Sequence, residues 1–492
     1  MVRRCPIVGI ADRYNKALGR KVTMPRNEMA VVGGGASGLA AAFRLHQAGY
    51  TVHVFDNRDC PGGKMRTTIK NGYIIDHGPT IMPVDYTNVL RLAREAGMGD
   101  DVLDAGSVMG FPRDNKMHYI DTEHLVRSAL KFNLLSLRAK IAFAPLLVDA
   151  IRTRSKFNFE NLSTAAEFDH ESAAAYAWRR SKNREVVDYV ADPLARSLVG
   201  ATTAAEISAI EFRFGLLKFS GSKYKVFRNG MASYAQKLAE NFYMHLQATV
   251  ESVAEDGKGV RVTWSEVDGT EHEDVFAGCV IALDGKSTGK VYQDLDVERR
   301  QFLDNIRYAR LINVTAGLKR RPPNQPAFWI NVPESVHPGL IAFNLEHNKH
   351  ENRAPAGKGL VTAYAGEQWS SELWDRDDTF VAEQILHAGD LVVPGVSAEV
   401  EFVDVHRWSP YVVRSYPGYY RDLKYFTERS NKLDRRVQLA GDYFCQANIE
   451  AATSSGLRAA VTLEDIIGTG RGFTPHRPTD RRANLATRIY SI

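Results

Sequence analysis

Apolar positions change their spacing several times along this chain, and each change marks an element. The run Val31-Val32 reads as a buried strand that turns on Gly33-Gly34-Gly35-Ala36-Ser37-Gly38 into a helix, Leu39 to Leu45. Thr51-Val52-His53-Val54-Phe55 is a second strand-length run, ending at Asp56. A hairpin follows, Met65 to Lys70 and Tyr73 to Asp76, turning at Asn71-Gly72. Residues 86 to 224 are expected to be mainly helical. Within them, Asn133 to Ile151 carries Leu134, Leu135, Leu137, Ile141, Phe143, Leu146 and Leu147 at helical spacing, with Arg138 and Lys140 between. It is read as a core-facing helix bent at Pro145, in preference to a membrane-lying or channel-lining one.

The pattern then returns to its opening style. A loop at Lys225 to Met231 precedes a helix, Ala232 to Phe242, and strands at Leu246 to Val253, Val260 to Trp264 and Asp274 to Ala282. From about 311 to 429 strand-length runs are crowded with aromatics, among them Phe328, Trp329, Phe343, Tyr364, Trp369, Trp408 and Tyr411. This stretch is expected to form an antiparallel sheet that supplies a pocket wall. Arg436 to Asp442 is a last buried strand, and Asn448 to Ala460 a helix of small residues that allows close backbone approach.

Composition narrows the class. The chain has 492 residues, 44% hydrophobic and 25% charged, the balance of a soluble globular protein of two to four domains. The net charge of +5 is carried by residues 1–28, leaving the remainder neutral, so no broad basic surface points to nucleic acid. That segment lacks the apolar core of a secretory signal and is read as a surface extension rather than an arm for a partner subunit or an anionic membrane. No apolar run is long enough to span a bilayer. Cys5, Cys60, Cys279 and Cys445 form no C-x-x-C pair, which argues against zinc or a disulfide framework and for a reducing, cytoplasmic setting. No metal site is expected.

The glycine run carries the first chemistry. Gly33 permits the tight turn, Gly35 leaves room for a pyrophosphate, and Gly38 lets helix and strand approach closely. Ala36 and Ser37 sit at the helix N-terminus, whose free N–H groups attract phosphate. Asp56, 18 positions after Gly38, is placed to accept hydrogen bonds from a ribose.

Three separated segments together resemble the flavin-containing amine oxidase superfamily, with stretches close to protoporphyrinogen oxidases and phytoene-desaturase-like enzymes. They are Gly33 to Asp56 with Gly62-Gly63-Lys64-Met65-Arg66-Thr67, then Gly72-Tyr73 to Gly78-Pro79, and Gly441-Asp442 with Ile449-Glu450-Ala451-Ala452 to Ser455-Gly456. Asp192-Pro193-Leu194 and Glu206-Ile207-Ser208 add to the oxidase likeness. The resemblance implies an α/β fold: a Rossmann-like FAD-binding domain with a discontinuous substrate domain of antiparallel sheet plus helices. The expected division is a basic extension (1–28), an FAD domain (29–85, 225–310, 430–470), a substrate domain (86–224, 311–429) and a tail (471–492).

The resemblance also implies FAD. Gly33, Gly35, Ala36, Ser37 and Gly38 would cradle the pyrophosphate, with Asp56 and Asn57 at the ribose. Gly63, Lys64 and Arg66 would lie near phosphates and flavin, and Gly78, Pro79 and Thr80 along the flavin. Val250 would meet the adenine, Asp442 beside Gly441 the ribityl or phosphate, and Ile449 beside Asn448 the flavin carbonyl. Ser415 matches the position of the cysteine that links flavin covalently in monoamine oxidases, so non-covalent FAD is expected. Asn313 matches a lysine of many amine oxidases. The expected pocket residues are Tyr416 foremost, with Asn313, Trp408 and Tyr419.

The implied activity is hydride removal from a C–H bond of a small apolar substrate to flavin N5, chiefly CH–CH to C=C. Amine oxidation and redox-neutral isomerisation are the alternatives. Oxygen or a quinone is the expected electron acceptor. A peripheral membrane contact and a homodimer stay open.

Overall fold

In the computed structural model the described residues are 27–468, except 201–202, 220, 256, 258 and 431–434. The basic extension, apart from its last two residues, and the C-terminal tail from 471 lie outside them. The strand Glu28–Val32 is apolar on both faces, as a parallel strand covered by helices must be. It pairs in parallel with Thr51–Asp56 on one side and Gly278–Ile281 on the other. Tyr243–Leu246 and Val437–Leu439 complete a five-stranded sheet whose neighbours all run parallel. Its strands come from three distant stretches of sequence, so the sheet closes only when the chain returns twice.

Helices Ala36–Gln47 and Ile449–Gly468 pack against each other on this sheet through small residues. A Cβ on Gly456 would stand 2.0 Å from the carbonyl oxygen of Ser37, so only glycine permits that approach. The C-terminal helix runs eight residues further than its small-residue pattern suggests, because Leu463 and Ile467 bury against Gly278. The hairpin Thr67–Lys70 and Tyr73–Asp76 forms as expected, with Asn71 and Gly72 both at positive φ.

The second sheet has seven strands, in the order Val400–Trp408, Leu311–Leu318, Gly359–Ala365, Leu340–Leu345, Trp329–Asn331, Val108–Arg113, Lys116–Asp121. All neighbours are antiparallel except Trp329–Asn331 with Val108–Arg113. The last two strands lie inside the stretch expected to be mainly helical. Asp114 and Asn115 turn them at positive φ, while Met117 and Tyr119 face the sheet core in alternation. Helix Asp378–Gly389 covers one face with Val381, Ile385 and Leu386.

A cluster of helices, including Leu137–Thr153, Ala173–Ser181, Asp192–Val199 and Ala209–Lys218, has a core of its own around Leu146, Tyr176 and Phe212. Ser136 caps the first of these by accepting the Ala139 N–H at 3.2 Å, which fixes its start three residues later than the apolar spacing suggests. The helix continues through Pro145. It is not simply core-facing: Leu146 is buried, but Leu137, Ile141 and Ile151 are more than half exposed.

Candidate active site

A cavity of about 1180 Å³ runs from the C-terminal ends of the parallel strands into the space between the seven-stranded sheet and the helical cluster. Its first half is walled by backbone. Gly33, at φ +103°, makes the turn out of the first strand, and a Cβ there would lie 2.6 Å from the carbonyl oxygen of Ala282. A Cβ on Gly38 would lie 1.8 Å from the Gly33 carbonyl oxygen. A Cβ on Gly35 would meet no atom within 4 Å, because that position opens on the cavity. Ala36 and Ser37 line it at the start of their helix, as do Ala248 to Val250.

Asp56 lies on the same wall, 8% exposed. Its carboxylate accepts the Gly34 N–H at 2.6 Å and the Arg58 N–H at 2.9 Å. Burial outweighs these donors and raises its pKa. Lys64 and Asp442 come from opposite ends of the chain and meet at 3.2 Å. Gly63, Gly78, Pro79, Thr80, Asn57, Gly441, Asn448 and Ile449 also border the cavity. Arg66 does not; it lies toward Asp59, at 3.6 Å. Arg58, which the sequence did not single out, does line it, donates to the Gly63 carbonyl at 2.9 Å and stacks on Trp408.

The second half is walled by side chains such as Phe111, Phe143, Leu194, Phe219, Phe328 and Trp329. The four residues expected to line it are placed elsewhere. Asn313 and Trp408 both donate to the carbonyl of His77, at 2.8 and 2.9 Å, and support the loop behind Gly78. Trp408 packs on His406, which burial pushes down to about 4, so the ring beside it is neutral near pH 7. Tyr416 reaches out to Asp422 and carries Arg307 on its face. Tyr419 is buried and donates to the Tyr443 carbonyl at 2.6 Å. None of the four side chains is on the cavity wall. The hydroxyls that are there belong to Tyr189, Tyr224, Tyr364 and Tyr411. The aromatic run around residues 311–429 pointed to Tyr364 and Tyr411 as a group, but not to which rings face inward.

With this geometry in place, comparison with known proteins is decisive. The family model for flavin-containing amine oxidoreductases matches residues 36–463. This chain belongs to that family. The family's chains here include the mitochondrial protoporphyrinogen oxidase of Nicotiana tabacum, 24% identical over 88% of this chain and 94% of the relative. Among solved structures, a cofactor-binding variant of putrescine oxidase superposes with TM-score 0.72 at 17% identity, over 90% of this chain and 99% of that one. A fatty acid isomerase from P. acnes superposes with TM-score 0.64 at 13% identity, over 88% and 98%. These two likenesses concern the fold.

A flavin-dependent oxidoreductase of this family needs a groove for a dinucleotide-sized cofactor, and the first half of the cavity fits one. Its glycines leave backbone exposed where side chains would obstruct, and helix N-termini at Ala36 and Ile449 border it. Ser415, at the position where monoamine oxidases carry the linking cysteine, is fully buried and donates to Glu211. Among the described residues no cysteine or histidine lines the cavity, and no group of side chains could hold a metal ion.

Proposed function

We propose that this protein is a dehydrogenase or oxidase that holds FAD non-covalently and removes hydrogen from a CH–CH unit of a small apolar substrate. The carrying observation is the charge distribution along the cavity. Its carboxylates, Asp56, Asp284 and Asp442, all belong to the nucleotide half. Among the described residues the substrate half contains no carboxylate, and Lys140 is its one cationic lining residue. A buried ammonium without a partner costs several kcal/mol, on the order of 2–7 even for a neutral polar group. The site therefore favours neutral, apolar molecules over amines. When bound, the flavin accepts the hydride; the chain's own part is to orient the C–H bond and exclude water. Non-covalent binding follows from Ser415 facing Glu211 and from the absence of cysteine on the described wall.

The test begins with the flavin. Acid precipitation of the purified protein should leave all of it in solution, as FAD. Anaerobic incubation with alicyclic ketones, terpenoids, porphyrinogens and amines should then bleach the flavin only with substrates that yield a new C=C bond. Ammonia released from an amine would sink the desaturase reading. Turnover with no acceptor consumed would move it to isomerisation. Oxygen and a quinone are separated by whether turnover persists anaerobically with added quinone.

We also propose a peripheral contact with an anionic bilayer. Leu137, Ile141 and Ile151 are exposed on one helix, flanked by Arg138, Arg152 and Arg154, while Phe143 and Leu147 of that helix line the cavity. Each such side chain forgoes about 1.5–3 kcal/mol by remaining in water. A basic, apolar face is what an anionic interface accepts, and among the described residues no helix is long and apolar enough to cross a membrane. Holoenzyme should float with phosphatidylglycerol vesicles and not with phosphatidylcholine, and the triple variant L137E/I141E/I151E should stay in solution. Self-association lost in the same variant, without flotation, would assign this face to a homodimer instead. A reducing, cytoplasmic side of that membrane suits Cys60, Cys279 and Cys445, which form no disulfide.

A further inference from the structure

One set of buried polar groups has no part in holding the cofactor groove or the fold's apolar cores. Lys349 is almost wholly buried, and its ammonium donates to Glu346 at 2.8 Å and to the Thr80 hydroxyl at 2.7 Å. Thr80 in turn hydrogen-bonds the Tyr364 hydroxyl. Tyr364 also accepts from the side-chain amide of Asn344, at 3.2 Å. Tyr364 and Thr80 both border the cavity.

The direction of this chain follows from its first member. An ammonium has only donors, so Thr80, having accepted from it, passes its own proton to the Tyr364 oxygen. That oxygen also takes the Asn344 N–H. Its lone pairs are engaged, and the phenolic proton is left to find an acceptor in the cavity. Burial keeps the phenol protonated by raising its pKa well above the ordinary value. Tyr364 stands directly across the sheet from Asn313, in register on neighbouring strands.

Resting on the flavoprotein reading above, we propose that Tyr364 donates a hydrogen bond to a neutral acceptor oxygen of the substrate, which is therefore an apolar ketone or enone. A donor on the carbonyl oxygen draws electrons from it and acidifies the adjacent C–H bonds, the place where a C=C bond conjugated to the carbonyl would form. A protonated amine would present a proton to a proton here. The ammonium at the far end of the chain strengthens the discrimination, because the buried row of donors is polarised toward the cavity.

The test compares two probes of one shape: 4-tert-butylcyclohexanone and its analogue with an exocyclic methylene in place of the carbonyl oxygen. Binding to holoenzyme is read by flavin absorbance and by quenching of Trp329, which lines the cavity and stacks on Tyr364. Wild-type protein should bind the ketone about tenfold more tightly, the upper range for a single neutral hydrogen bond. Tyr364→Phe should bring the ratio to about one, with flavin content unchanged. Lys349→Met should lower it part-way. The carbonyl stretch of the bound ketone should move to lower wavenumber in wild type and not in Tyr364→Phe. A wild-type ratio near one, no ketone binding, or a ratio kept by Tyr364→Phe overturns the proposal. A protein that takes up no flavin counts against the preceding reading alone, since Trp329 still reports the ketone preference.

Discussion

The two halves of the cavity are built by opposite means. The nucleotide half is a backbone surface: Gly33, Gly35 and Gly38 remove side chains, and helix ends supply N–H groups. Its contacts lie close together in sequence, within one strand-turn-helix. The substrate half is a side-chain surface assembled from the helical cluster, the hairpin Val108–Asp121 and the seven-stranded sheet. The first kind of wall tolerates almost no added atom. The second tolerates exchange of one apolar group for another and changes specificity with each.

The sharpest break of this comparison is Gly38→Val in the backbone half. Its Cβ would fall 1.8 Å from the Gly33 carbonyl oxygen, inside the helix–strand contact. Purified variant protein should carry almost no flavin absorbance, with a stability loss of about 4 kcal/mol or more by urea titration. A volume-conserving change in the other half, Leu194→Met, should leave flavin content intact.

The seam between the halves comes next. Glu450, at the start of the C-terminal helix, accepts the N–H groups of Asn88 and Val89, both at 2.9 Å, and is 1% exposed. Desolvation raises its pKa from 4.5 to about 7. The folded state therefore binds more protons than the unfolded state between those values, and stability falls as pH rises through that window, then levels off. The loss from this group is about 3 kcal/mol. Urea melts from pH 4.5 to 8 should show it, and Glu450→Gln should abolish this component.

Asn313→Ala should act through support of the wall. It removes a buried bond to the His77 carbonyl, costing about 1–3 kcal/mol of stability, and it should lower turnover by loosening the Gly78 loop. Tyr416→Phe should do least. Its hydroxyl serves Asp422 on the outside, so kcat and KM should both stay within about twofold. A large loss of kcat in Tyr416→Phe would return that residue to the cavity.

The nucleotide half was legible in the sequence because its determinants are local. A tight turn, a close helix contact and an acid at the end of the next strand each need a particular residue at a particular spacing. The Lys64–Asp442 pair shows the limit: both residues could be named, but not that they meet, since 377 residues separate them. The Val108–Asp121 hairpin was missed because its turn carries Asp114-Asn115, without the glycine that signalled the earlier one.

By itself, then, the sequence determined the parallel sheet, the groove for a dinucleotide and the family, all written in backbone requirements that survive any tertiary surroundings. Which aromatic rings face the cavity was decided only by the tertiary structure. Along a strand buried on both faces every position is apolar or aromatic, so alternation no longer distinguishes in from out. The register that sets Tyr364 opposite Asn313, and aims one hydroxyl rather than the other into the cavity, comes from strands folded across one another.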